Sequence, residues 1–148
     1  MTPYVALSTA FRSQIGKLWS INSELPQSKA AQALADEAYR SGLLNEPRKL
    51  SGTALADWGR SGKIPAWAAL SALRLLINSG WRPASNVDWA GMTSLLLRLD
   101  KKLDTSTGAV LDELLALLPP GLDKNIAAGW FCAAIEEHKN FVHENVQR

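Results

Sequence analysis

The chain has 148 residues, 47% of them apolar and 20% charged, which suffices for one buried core and excludes intrinsic disorder. The single cysteine, Cys132, excludes an intramolecular disulfide. The net charge of +2 is unevenly spread, with eleven Lys/Arg against six Asp/Glu up to Arg98 and five against eight from Leu99 onward, so the first part suits an anionic partner.

Met1-Thr2-Pro3-Tyr4-Val5 lacks the basic and apolar regions of a secretory signal, and a cytoplasmic protein is expected. The longest mostly apolar run, 64–77, is broken by Ser71 and Arg74, so no membrane span is expected. Helical periodicity runs nearly end to end, and no segment alternates long enough to make a strand. The expected class is therefore all-α, a compact bundle of about six to seven helices. It is read as a single domain over 1–148, with a basic helical part (1–84) and an acidic, leucine-rich helical part (85–148).

In chain order, Leu7, Phe11, Ile15, Leu18 and Leu25 stripe a first helix that starts near Ser8 or Thr9 and closes at Pro26. Ser28 is the expected cap of a second helix, which faces Ala31, Leu34, Ala35 and Ala38 inward and ends at Gly42. After a polar connection, Ser51 opens a short third helix carrying Leu55 and Trp58. Gly59-Arg60-Ser61-Gly62 reads as a turn, and Pro65 belongs in the first turn of a fourth helix. That helix places Ala66, Leu70, Leu73 and Ile77 on one face and stops at Gly80. A fifth helix from about Asp88 should bury Met92, Leu95 or Leu96, Leu99 and Leu103. A sixth from about Gly108 uses Leu111, Leu114, Leu115 and Leu118, and Pro119-Pro120-Gly121 breaks it. The last helix starts near Asp123 with Ile126, Trp130, Ala133 and Phe141 at helical spacing. Leu95, Leu96 and Leu97 wrap more than one face of their helix. Either that helix is central in the bundle, or it buries a second face against another chain, as a homo-oligomer or with a protein partner.

Residues 51–65 read Ser-Gly-Thr-Ala-Leu-Ala-Asp-Trp-Gly-Arg-Ser-Gly-Lys-Ile-Pro. This stretch, and more loosely 28–77, resembles the recognition helix and following turn of the lambda-repressor-like (Xre-type) helix-turn-helix family of phage and bacterial regulators. The resemblance makes Ser51 the helix cap and Leu55 the core anchor. Trp58, Arg60, Gly62 and Lys63 form the lead into a basic turn, and Pro65, Leu70 and Leu73 belong to the next helix. A helix held from behind by Leu55 and Trp58 would present Gly52, Thr53, Ala56 and Asp57 to the groove. Arg60 and Lys63, with Arg48 and Lys49 ahead of the helix, would contact the phosphate backbone. The function so implied is that of a DNA-associated regulator of phage or mobile-element type. The alternative is a non-catalytic helical interaction subunit of a larger, nucleoprotein-type complex.

Six tryptophans, at 19, 58, 67, 81, 89 and 130, exceed what a chain of this length usually carries. Trp81 and Trp89 flank a loop holding Arg82, Pro83 and Asn86, and either cap the bundle or offer a stacking surface. No cofactor motif and no catalytic set is read from the sequence, so no enzyme is expected. His138 and His143 are five apart and diverge on a helix, which argues against a shared metal. Cys132, among Phe131, Ala133 and Ala134, is expected to be a small buried hydrophobe. Gly59 to Lys63 lacks the glycine spacing and preceding strand of a phosphate loop. Glu136 and Glu137 read as a solvated face.

Overall fold

The computed structural model describes residues 2–99 and 107–147, with side chains for 2–99 and 110–139. Leu103 and the side chains of Phe141 and His143 lie outside the described residues. The protein is all-α. The described residues form α1 (Pro3–Ser23), α2 (Gln27–Arg40), α3 (Gly52–Ser61), α4 (Ala66–Asn78), α5 (Asn86–Leu97), α6 (Thr107–Ala116) and α7 (Lys124–Gln147), with no strand among them. No described helix is long and apolar enough to cross a membrane. The chain divides into two compact units, Ala10–Arg82 and Met1–Thr9 with Pro83–Arg148, and the boundary lies within α1.

Helix ends follow local chemistry, in places not where the sequence suggested. α1 starts at Pro3 rather than near Ser8: Thr2 Oγ1 accepts the Val5 N–H at 3.2 Å, and proline presets the first helical φ. It ends at Ser23, so Leu25 falls beyond it and is exposed. Pro26, not Ser28, stands at the N-cap of α2, and its carbonyl accepts from Lys29 and Ala30. α2 and α4 both close on a left-handed glycine. At Gly42 the N–H of Leu43 returns to Ala38 O, and at Gly80 that of Trp81 returns to Leu76 O, the Schellman pattern. Ser85 Oγ accepts the Asp88 N–H at the start of α5, and Asp123 Oδ1 accepts from Asn125 and Ile126 at the start of α7.

In the Ala10–Arg82 unit, Phe11, Ile15 and Trp19 of α1 join Leu34 of α2, Leu55 of α3 and Leu70, Leu73 and Leu76 of α4 in the core. The Trp19 indole N–H donates to Ala30 O at 2.9 Å, and Trp81 lies against Phe11 with ring centres 5.9 Å apart. α4 is buried nearly all round, not along one stripe: Ala68 to Leu73 and Leu76 are buried, whereas Ala66 is exposed.

In the other unit α7 packs on α5 and α6. Leu95, Leu96 and Leu97 are all buried within the chain, which decides for a central α5. On α7 the buried residues are Ala127, Phe131, Ala134 and Ile135, one position on from the expected stripe of Ile126, Trp130 and Ala133. Ile126 is 52% exposed and Cys132 is exposed, so both inward assignments are corrected. The physical reason is that apolar residues stand in adjacent pairs here, so two faces about 100° apart have equal periodicity. The wholly apolar Phe131 goes inside, and Trp130, with an N–H to satisfy, stays half-buried.

Candidate nucleic-acid interface

α3 packs on α2 and is anchored by Leu55, which is 5% exposed. Gly16 of α1 faces it: a Cβ there would stand 3.4 Å from Leu55 Cδ2, in ordinary van der Waals contact. Trp58 is half-buried and meets Trp67 of α4 edge-on, with centroids 6.0 Å apart and planes at 85°. Ser51 occupies the N-cap in extended backbone, but its hydroxyl makes no capping bond, so only its main chain caps α3. The start of α3 is tied instead to α2. Gln27 Nε2 donates to Gly52 O at 2.8 Å, and a Cβ on Gly52 would come within 3.1 Å of Ser28 N.

The expected turn is shorter than its composition suggested. Gly59, Arg60 and Ser61 remain helical, and only Gly62 turns left-handed (φ 70°), its N–H returning to Trp58 O. Arg60 is therefore a last-turn helix residue, ion-paired with Asp57 one turn earlier. Past the turn, Ile64 is buried, and its carbonyl accepts from the Arg12 guanidinium at 2.9 Å. Pro65 is the N-cap of α4 rather than part of its first turn, its carbonyl accepting from Ala68 and Ala69.

The connection from α2 to α3 runs over 41–51, well beyond the three- to four-residue turn usual between two such helices. Its last part is fixed to α2 by one side chain: Gln32 Nε2 donates to Arg48 O at 2.8 Å, and Gln32 Oε1 accepts the Leu50 N–H at 2.9 Å. Arg48 then lays its guanidinium over Trp67, 5.0 Å from the ring centroid, a cation–π distance.

The sequence-derived site residues thus fall around α3. Arg48, Lys49, Ser51, Thr53, Asp57, Arg60 and Lys63 are exposed; Gly52 and Ala56 are half-buried, and Gly52 also carries the close approach to α2. Among the described residues, no carboxylate or carbonyl takes up the charged ends of Arg48, Lys49 or Lys63. The unit bearing them has ten Lys/Arg against five Asp/Glu, a balance of +5. Sequence reasoning missed Gln32 and Arg12, two polar helix residues whose partners lie 16 and 52 positions away. Trp67 was visible only as one tryptophan among six. No three of His, Cys, Asp and Glu come together as a metal set among the described residues.

No protein-family model, curated protein or solved structure matches the chain.

Proposed function

We propose that the protein binds nucleic acid, duplex DNA foremost, as a small regulator of phage or mobile-element type, and that α3 with its flanks is the contact surface. The observation that carries this reading is the set of exposed cations Arg48, Lys49 and Lys63, with no acidic partner among the described residues, around an exposed helix on a unit of charge +5. The resemblance of residues 51–65 to lambda-repressor-like recognition helices supports it. So does the division of α3 into a buried anchor, Leu55, and the outward Thr53 and Asp57.

The chemistry favours phosphate contacts over base reading. Bidentate recognition of purines uses Arg, Lys, Asn or Gln, and the outer face of α3 offers Thr53, Ala56 and an Asp57 tied to Arg60. Binding is therefore expected to be salt-sensitive and to discriminate weakly between sequences. Titrating mixed-sequence duplex DNA across a salt series tests this. Neutralising three phosphates gives a slope of about −3 in log K against log salt. A flat response, or no binding at low salt, overturns the reading.

A further inference from the structure

We infer that Trp67 belongs to the nucleic-acid interface as the residue that positions Arg48, and that Arg48 so held is the principal phosphate contact. This rests on the nucleic-acid reading above and names the group that anchors it.

Arg48 is constrained at both ends. Its carbonyl accepts from Gln32 Nε2 at 2.8 Å, and the next N–H but one, that of Leu50, returns to the same amide. Its guanidinium lies over the Trp67 indole at 5.0 Å, and that indole is braced edge-on by Trp58. Three helices and the connecting segment therefore converge on one exposed cation. The indole face attracts the guanidinium without occupying its N–H donors as a carboxylate would, and those donors have no protein acceptor among the described residues. An arginine already held in place loses less rotamer freedom on meeting a ligand, and its planar fork matches two phosphate oxygens.

The other cations lack this combination. Arg60 is engaged by Asp57 and must leave it to reach a phosphate. Lys49 and Lys63 have no ring or acidic group to fix their side chains among the described residues. The chemistry therefore ranks Arg48 first.

The experiment is binding of a short mixed-sequence DNA duplex in a salt series, with Arg48→Gln, Trp67→Leu, Trp67→Phe, Arg60→Gln and the Arg48→Gln/Trp67→Leu double variant. Arg48→Gln is expected to weaken binding roughly tenfold and to lower the salt slope by about one. Trp67→Leu is expected to weaken it several-fold and to add little to Arg48→Gln, because both remove one contact. Trp67→Phe, which keeps a ring, retains most of the affinity, and Arg60→Gln costs less than Arg48→Gln. Full additivity in the double variant would reduce Trp67 to a structural role and overturn the inference. A second measurement does not depend on the folding of Trp67→Leu. With 5-fluorotryptophan incorporated, the fluorine resonance that disappears in Trp67→Phe should shift on adding DNA to the otherwise unchanged protein and not to Arg48→Gln. A resonance indifferent to DNA overturns the inference. Binding that survives Arg48→Gln undiminished overturns it alone, whereas failure of the parent protein to bind at low salt overturns the nucleic-acid reading with it.

Discussion

Gln32 and Leu50, eighteen residues apart, are joined by a 2.9 Å bond from the Leu50 N–H to Gln32 Oε1. The same amide donates to Arg48 O and to Asp36 Oδ1. One side chain thus does for the 48–50 backbone what a neighbouring strand does elsewhere, satisfying a carbonyl and the second N–H after it. Gln32→Ala is expected to lower unfolding free energy by about 1–2 kcal/mol, the net worth of its two bonds to the 48–50 backbone, the exposed bond to Asp36 adding little. Gln32→Glu keeps the acceptor for Leu50 but sets a carboxylate against Arg48 O and Asp36, and should be no better. Urea denaturation checks both, and wild-type stability in Gln32→Ala would show that the connection is held by something else.

The two glycines of α3 should respond in opposite senses to alanine. At Gly52 the added methyl meets the Ser28 backbone at 3.1 Å, so α3 must move from α2, and overpacking of this kind costs about 1–3 kcal/mol. At Gly59 the methyl meets nothing within 4 Å in a helical backbone, and the gain in helix propensity is about 0.5–1 kcal/mol. Thermal melts of Gly52→Ala and Gly59→Ala should move down and up. A rise in both would mean that the start of α3 is not confined.

Tyr4 links the start of α1 to α5, its hydroxyl donating to Ala90 O at 3.2 Å and lying 3.1 Å from the buried Thr93 Oγ1. Burial pushes its phenol up to about 12, with Glu137 adding to the rise and the hydroxyls of Thr93 and Ser94 opposing it. The sign follows from proton binding. Above pH 10 the unfolded chain has begun to lose this proton while the folded one keeps it, so stability is unaffected below that pH and falls as pH rises toward 12. The loss is of order 2 kcal/mol. In a Tyr39→Phe background, phenolate absorbance should show late titration coupled to unfolding, and Tyr4→Phe should abolish that alkaline slope. Ionisation near pH 10 in the native protein would contradict the burial.

Cys132 serves as a test of its exposed position on α7. Exposed beside the buried Phe131, it should react with an aromatic disulfide reagent in the native protein at a rate within roughly tenfold of that in denaturant. Protection until unfolding would contradict the exposure of this position.

Local signals carried much of the architecture. The left-handed glycines 42 and 80, the Asp123 start and the all-helical periodicity were legible because each is decided by a few neighbouring residues. The orientation of α7 was not, since Ile126-Ala127, Trp130-Phe131 and Ala133-Ala134 offer two equal faces, and only the packing against α5 and α6 chooses. Nor was the all-round burial of α4, because alanine carries no directional signal. Around α3, the exposed positions were legible from the spacing of Leu55 and Trp58. The arrangement that fixes Arg48 was not, for it joins Gln32, Trp58 and Trp67 from three helices.

The alanines buried in α2 and α4 bear on how this protein can change. Ala30, Ala31, Ala35 and Ala38 of one helix and Ala68, Ala69 and Ala72 of the other are wholly inaccessible, and the two helices pack together. Every larger residue there must open a seam built around single methyl groups, so these positions are closed to drift. Thr53 and Asp57, exposed on α3, support no core and are open to it. A library randomised at those two outer positions should stay folded where one randomised at Ala35 and Ala69 collapses. The molecule thus separates a frozen frame from a rewritable edge, and new side chains can be written along that edge without disturbing the frame.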